Sequence, residues 1–211
     1  MVPQRVAVAG AELELLVLAA DPVGCLGVDI ASGAFVRAAH PPVRECLHPY
    51  DVAAGRLADA DDPDWSRPEL VSLAGPPMRT GRVSRRRAER YLRPLLHPSR
   101  PPLLGFGAGS IPYWMLEGDR PSVTLVEPDR LCIVRDTSVF RCHFDWEGVY
   151  HDLPLQDRRL AAVLDRLGRR GYGEADLRAV AGFRPGRLLV ALTPPHRGYC
   201  YKAVAALLPR R

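Results

Sequence analysis

One alternating segment in the second half constrains the fold more than any other feature of this chain. Between Val139 and Trp146, every second side chain belongs to one apolar set: Phe140, Cys142, Phe144 and Trp146. Successive side chains of a β-strand point to opposite faces, so this period of two is typical of a half-buried strand. Glu147-Gly148 then forms a tight turn into a second strand, 149–155. The pattern predicts an antiparallel hairpin inside a mainly β domain.

Strand candidates occur in both halves of the chain, separated by the Gly, Pro and Asp residues that favour turns. In the first half they cover 12–20, 24–30, 34–38, 50–57 and 69–73. In the second half they cover 122–127, 131–135, 139–146, 149–155, 187–192 and 199–208. Helical spacing of apolar residues predicts three helices, at 84–96, 157–167 and 174–181. Ser84 is the candidate N-cap of the first helix, and Pro94 kinks or ends it.

A chain of 211 residues suits one large or two small domains. Residues 98–112 are rich in Pro and Gly and form the best boundary, so we expect a first domain at 1–100, a linker at 101–120 and a second domain at 121–211. The first of these domains ends with its helix. The glycine-rich segment 105–110 resembles a phosphate-binding loop, but such a loop requires a helix directly after it, and Pro112 follows instead. The segment therefore reads as a connection.

The charge of the chain is positive, with 29 Lys and Arg against 24 Asp and Glu, and Lys202 is the only lysine. A basic surface attracts phosphate, although an arginine-rich composition is also typical of a GC-rich genome. The first predicted helix carries five arginines and only Glu89 against them: Arg85, Arg86, Arg87, Arg90 and Arg93. They form either a phosphate-facing surface or a solvated helix face.

No motif for catalysis or metal binding stands out. The five cysteines are scattered without a CxxC pair, and no two histidines are spaced as HxxxH, so we expect reduced thiols, no metal and no cofactor. Metal-dependent nucleases of the common type need a carboxylate two positions before a lysine, but Cys200 holds that position before Lys202. GxSxG is also absent. The sequence favours a non-enzymatic protein, while catalytic groups that meet only in space stay an open alternative.

Lys202 is unusual because it lies in an apolar strand candidate, where an unpaired ammonium group is costly to bury. In one interpretation its head group reaches water at the strand edge. In the other, Lys202 and Arg141 line a groove for an anionic ligand, with Tyr199 or Tyr201 at its side. The candidate ligand-binding residues are Lys202, Tyr199, Tyr201, Arg141, His143, Arg86 and Arg90. Further candidates for stacking on bases are Trp65, Tyr113, Trp114 and Tyr150.

The order of elements in the second half, strands followed by a helix and two more strands, is that of an OB-fold, a five-stranded Greek-key barrel. Several short motifs also resemble the dual OB-containing domain of bacterial proteins. They are Cys25-Leu26-Gly27, Gly33-Ala34-Phe35-Val36-Arg37, Arg67-Pro68-Glu69 with Val71, and the segments 144–148, 150–155 and 198–205. The resemblance implies two OB-like β-barrels with short helices and, by analogy of fold alone, recognition of nucleic acid or nucleotides.

Two functions follow from this combination. The first is a non-enzymatic binding module of a bacterial system, whose partner is single-stranded nucleic acid or a nucleotide. OB barrels bind single strands through aromatic platforms and a basic groove. The alternative is a protein-interaction or scaffold subunit whose protein partners come from the same defence or mobile-element operon. A steep loss of affinity with rising salt is the signature of the first function.

The longest apolar run, 13–20, is interrupted by Glu14 and is too short to span a bilayer. No basic segment with a small-residue cleavage site precedes this run, so it does not read as a secretory signal. We therefore expect a cytoplasmic protein with no membrane partner.

Overall fold

The computed structural model describes residues 9–43, 47–59, 64–98, 102–116 and 120–210. The chain is mainly β, with a curled half-barrel sheet and few helices, as the strand patterns predict. It divides into two compact units, Met1–Leu95 and Leu96–Arg211. Within the described ranges, no helix is long and apolar enough to cross a membrane.

The first unit is built on one six-stranded sheet. Its strands are β1 (Glu12–Asp21), β2 (Gly24–Asp29), β3 (Phe35–Ala39), β4 (Asp51–Arg56), β5 (Leu70–Ser72) and β6 (Met78–Arg82). They pair in the order β5-β3-β2-β1-β4-β6, and only β3 and β5 are parallel. The sheet curls, since a bridge between Leu57 and Leu73 joins the ends of β4 and β5. As a result, β1, β2, β3, β5 and β4 form a closed circuit of neighbouring strands.

The helix predicted in the first unit is α1 (Arg85–Leu92). The Ser84 hydroxyl accepts a hydrogen bond from the backbone N–H of Arg87, which confirms Ser84 as the N-cap. Ala88 and Leu92 are buried, and the chain tightens into a 3-10 turn at Arg93–Leu95. This turn contains Pro94, which lacks a backbone N–H and cannot continue an α-helix. The helix therefore ends before residue 96.

The second unit contains two four-stranded sheets. Its strands are β7 (Ser110–Pro112), β8 (Val123–Val126), β9 (Arg130–Asp136), β10 (Val139–Trp146), β11 (Val149–Pro154), β12 (Gly171–Tyr172), β13 (Pro185–Leu192) and β14 (Tyr199–Pro209). One sheet has the order β11-β10-β9-β12 and the other β7-β14-β13-β8. A parallel bridge from Leu155, just after β11, to Val204 of β14 connects them. Helices α2 (Arg158–Leu167) and α3 (Glu174–Ala181) lie where the sequence predicts them.

The core of the second unit confirms the alternation in β10. Phe140, Phe144 and Trp146 are buried in one cluster with Leu160 and Leu164 of α2 and with Val204 of β14. The turn at Glu147-Gly148 has positive φ at both residues, the geometry of a type I′ hairpin turn. It fixes the register of β10 and β11, so that His143 pairs with Asp152. The opposite face of β10, with Arg141 and His143, is thereby left for other contacts.

The segment expected to be a linker belongs instead to the second unit. Leu103, Leu104 and Ile111 are buried in its core cluster, and β7 pairs with β14. The Pro and Gly content of this segment is typical of a linker, and β7 is too short, at three residues, to show an alternating pattern. The sequence therefore did not predict that its apolar residues are buried. The second unit therefore begins at Leu96. Within residues 102–116, β7 pairs with the first residues of β14.

Candidate functional site

A tight hairpin turn organises one end of the second unit. The backbones of His196 and Tyr199 exchange two hydrogen bonds, of 2.8 and 3.1 Å, across the two-residue turn Arg197-Gly198. Both turn residues have positive φ, 51° and 83°, as a type I′ turn requires. The backbone N–H of Tyr113 donates to the carbonyl of Gly198 at 3.0 Å. The turn therefore anchors the segment after β7 beside the start of β14.

Three exposed aromatic side chains meet at this turn, and a fourth, Tyr201, lies two residues further along β14. Trp114 lies 5.4 Å from Tyr113 and 6.2 Å from Tyr199, measured between ring centroids. Tyr199 and Tyr201 project from the same face of β14, while Cys200 between them is buried. We call this group the aromatic surface: Tyr113, Trp114, Tyr199 and Tyr201, each 39–58% exposed. Exposed aromatic groups in such proximity point to a ligand or a partner.

A pocket of about 750 Å³ adjoins the aromatic surface and shares Tyr201 with it. It lies where β10 and β11 of one sheet approach β7 and β14 of the other. The side chains that could contact a ligand there include those of Arg141, Asp152, His196, Tyr201 and Lys202. We call this the basic pocket. The structure thus brings together three of the predicted ligand-binding residues, Arg141, Tyr201 and Lys202.

Lys202 is not a strand-edge lysine with its head group in water. Its side chain is 2% exposed, and its ammonium group donates to the carbonyl oxygen of Phe106. The same nitrogen lies 4.0 Å from the centroid of the Phe106 ring, a cation–π arrangement. Burial lowers the pKa of Lys202 to about 8. No carboxylate among the described residues pairs with it, so a positive charge stands at the wall of the pocket without a counter-ion.

Arg141 is held in place by Asp152. The Nε of Arg141 lies 2.6 Å from a carboxylate oxygen of Asp152, and its guanidinium also donates to the Asp152 carbonyl at 3.0 Å. The pairing offsets the Arg141 charge and keeps its fork in a fixed orientation. Asp152 is therefore the one carboxylate in the lining of this pocket, and it is already engaged.

His143 lies beside the basic pocket rather than in its lining. Its Nε2 is 3.3 Å from the Asp152 carboxylate, and its Nδ1 shares a 2.8 Å hydrogen bond with the Tyr150 hydroxyl. Desolvation and the charge of Asp152 raise the pKa of Tyr150. A raised pKa is the opposite of what an activated phenolate nucleophile requires. The chain of groups from Tyr150 to Asp152 thus orients side chains on the outer face of β10 and β11.

The remaining candidates lie in the first unit. Arg86 and Arg90 are exposed on α1, and Trp65 is 69% exposed. They do not belong to the pocket, all of whose lining residues come from the second unit. Among the described residues, no group of three or more His, Cys, Asp or Glu side chains could hold a metal ion.

Four of the five cysteines belong to the described residues, and Cys46 lies outside them. Cys25, Cys132, Cys142 and Cys200 are free, and all but Cys132 are buried. Burial raises the pKa of the Cys25 thiol to about 12 and also raises that of Cys142. Thiolate is the reactive form of cysteine, so these buried thiols behave as small apolar side chains.

Comparison with known proteins gives no family for this chain. No protein-family model, no curated protein and no solved structure matches it.

Sequence reasoning missed Phe106, Asp152 and His196. The position of Asp152 could have been predicted, because the Glu147-Gly148 turn sets the register in which residue 152 pairs with His143. Phe106 acts through its backbone carbonyl and its ring, in a segment whose glycines suggest a connection. His196 reaches the site through a two-residue turn that follows Pro194 and Pro195. Only the consecutive Arg197-Gly198 indicated a turn there.

Proposed function

We propose that the second unit binds single-stranded nucleic acid at the aromatic surface and the basic pocket. The observation that carries this proposal is the position of four exposed aromatic side chains next to a pocket lined by Arg141 and Lys202. Proteins that bind single strands combine aromatic side chains, on which bases stack, with a basic groove that follows the phosphates. Tyr201 belongs to both features and links them.

Charge in the pocket supports an anionic ligand. Lys202 has no carboxylate partner among the described residues, and Arg141 neutralises Asp152, so the lining is positive overall when Lys202 is protonated. Ser110 adds a hydroxyl group that can donate to a phosphate oxygen. Bases on the aromatic surface and phosphates in the basic pocket would then lie side by side along β14.

We further propose that both units are OB-like, as in the dual OB-containing domain that the sequence resembles. In the first unit, the circuit of five strands with a parallel third and fifth strand supports a five-stranded Greek-key barrel. In the second, the β9-β10-β11 meander is followed by α2, with β12 on β9 and β14 in a parallel bridge after β11. OB-folds bind oligonucleotides on their second and third strands. The equivalent strands, β10 and β11, supply Arg141 and Asp152.

The test is a fluorescence-anisotropy titration of labelled DNA and RNA single strands of about 16 nucleotides, the upper site size of one OB-fold. The full chain is compared with Trp114→Ala, with Tyr199→Ala and with the control Trp65→Ala. Loss of one stacked base weakens affinity by about 1–3 kcal/mol. We expect that loss for residues 114 and 199 but not for Trp65, which is more exposed than either. A parent chain that binds no oligonucleotide at roughly 50 mM salt, or an equal loss in the control, contradicts the proposal.

The protein-interaction function is the second candidate, and one observation favours it. Met115, next to Trp114, is 58% exposed, and aromatic residues with Met are enriched in protein interfaces. A photoreactive amino acid at position 114 distinguishes the two functions in cells. One discrete protein adduct with no nucleic-acid adduct would favour an interaction subunit, whereas crosslinked nucleic acid favours the binding module.

A further inference from the structure

Exposed arginines are denser on α1 and at its end than elsewhere in the described chain. Many arginines elsewhere pair with carboxylates, as in Arg67–Asp64, Arg130–Asp145, Arg135–Asp165, Arg169–Asp176, Arg184–Glu174 and Arg187–Glu127. Others, such as Arg158 and Arg178, are exposed and pair with no described carboxylate, but they are scattered. On α1 and at its end, Arg86, Arg90 and Arg93 are exposed and pair with no carboxylate among the residues described. An arginine-rich genome would affect the whole chain alike. It therefore does not explain why four exposed arginines without a described carboxylate partner lie within eight residues here: Arg86, Arg87, Arg90 and Arg93.

The positions of the charges on α1 also destabilise the helix. Its first turn contains Arg85, Arg86 and Arg87 and no acidic residue, although the helix dipole favours negative charge at that end. Arg86 and Arg90 are four residues apart, where like charges destabilise a helix. A conflict between local stability and sequence is expected at functional sites. An anionic partner would relieve this one.

Three of these arginines share one helix face, which we call the arginine stripe: Arg86, Arg90 and Arg93. At 3.6 residues per turn, neighbouring members are rotated by about 40–60° and separated by about 4.5–6 Å along the axis. Ala88 and Leu92 occupy the opposite face and are buried, so the stripe points away from the core. Three guanidinium groups thus stand in a row on the surface.

We propose that the arginine stripe binds the phosphate backbone of nucleic acid, in duplex as well as in single strands. Guanidinium groups match phosphate oxygens through paired hydrogen bonds. The only aromatic residue of α1, Tyr91, is half-buried, so the stripe has no platform for an unstacked base. Contacts of this kind depend on charge and need no unpaired bases. The inference therefore goes beyond the single-strand site of the second unit.

The test is anisotropy of a labelled mixed-sequence DNA duplex with the full chain, from roughly 50 to 200 mM salt. The variant Arg86→Gln/Arg90→Gln/Arg93→Gln is compared with Arg130→Gln/Arg169→Gln/Arg184→Gln, which removes the same charge from exposed but paired arginines. For three lost phosphate contacts, the slope of log K against log salt should become shallower by about 2.7. The control should keep the slope of the parent chain. Far-UV circular dichroism and melting curves establish that both variants are folded.

An equal change of slope in both variants would overturn the inference, because net charge alone would then explain binding. A parent chain that binds phosphatidylserine vesicles but no duplex would overturn it too. If the glutamine variant fails to fold, Arg86→Lys/Arg90→Lys/Arg93→Lys keeps the charge and should retain most of the slope; a complete loss contradicts the inference. A parent chain that binds single strands but no duplex rejects the stripe alone. A parent chain that binds the duplex, but binds single strands as tightly as its Trp114→Ala and Tyr199→Ala variants do, rejects the proposed function alone.

Discussion

In the second unit, the positive groups of the candidate site are buried or paired and the aromatic groups are exposed, whereas on α1 of the first unit the arrangement is reversed. Lys202 is held by Phe106 and Arg141 by Asp152, while the ring of Trp114 is open to solvent. Arg86 and Arg90 are exposed on a helix without an exposed aromatic residue. The two surfaces therefore present different chemical groups to a ligand. Exposed rings suit bases, and exposed guanidinium groups suit phosphates.

The largest effect is expected from a substitution on the buried face of β10, compared with one on its outer face. Phe144 is 1% exposed in the core, whereas Arg141 on the other face is half-buried and pairs with Asp152. Phe144→Ala should lower the free energy of unfolding by about 3–5 kcal/mol, because it removes a buried ring and leaves a cavity. Urea unfolding measures this, with Arg141→Ala as the outer-face control. A loss below about 1 kcal/mol for Phe144→Ala would show that the ring is not in the core.

The next prediction concerns the buried charge of Lys202. Its pKa is about 8 in the folded chain against an ordinary 10.5. Below pH 8 both states are protonated, and the folded state bears the cost of burying the ammonium group. Between pH 8 and 10.5 the unfolded state binds more protons, so stability relative to Lys202→Met rises with pH. The rise should approach about 3 kcal/mol.

Urea unfolding of the parent chain and of Lys202→Met at neutral and at high pH measures this difference. Groups other than Lys202 titrate in both proteins, so their contributions cancel in the comparison. A difference that does not change with pH would mean that the ammonium group is solvated.

A third prediction addresses the turn that anchors the aromatic surface. Gly198 has a φ of +83°, and a Cβ at this position would lie 3.1 Å from the Trp114 ring. Gly198→Ala should cost about 1–2 kcal/mol, because an L-residue is strained in the left-handed region. It should also displace Trp114, so tryptophan fluorescence should shift and single-strand affinity should fall. Duplex binding through α1 should stay unchanged; a parallel fall in both would mean that the two surfaces are not separable.

The smallest effect is the pH dependence of binding. As pH rises from 7 to 9, Lys202 loses its proton, while arginine keeps its charge. The salt slope for a single strand should therefore become shallower by about 0.7, the value of one phosphate contact. Lys202→Met should show no such change over this range, and neither should the duplex. Identical pH profiles for the parent chain and Lys202→Met would exclude Lys202 from the ligand site.

The strands and helices were predictable because their signals are local. Alternation in β10, the Glu147-Gly148 turn and the Ser84 cap each depend on a few neighbouring residues. The strands that the sequence did not predict, β6, β7 and β12, are short or exposed and have no apolar periodicity. Their positions depend on pairing with distant strands, which tertiary structure decides.

The candidate site was predictable in part for the same reason. The hypothesis of a groove joined Lys202 with Arg141 and Tyr201, and these three residues line the same pocket. The burial of Lys202 was not predictable, because its partner is a backbone carbonyl, and any residue type at position 106 supplies one. A hydrogen bond to a backbone carbonyl does not require a particular residue type, so the sequence does not indicate it.

The central claim is that the two surfaces recognise different parts of nucleic acid, and one crossed titration tests it most directly. The double variant Trp114→Ala/Tyr199→Ala and the glutamine variant of the arginine stripe are each titrated with the same sequence, once as a single strand and once as a duplex. The aromatic variant should lose about 1–3 kcal/mol per stacked base on the single strand and nothing on the duplex. The stripe variant should weaken duplex binding and flatten its salt slope. If both variants lose affinity in the same proportion on both forms, the two surfaces do not differ in what they recognise, and the claim is contradicted.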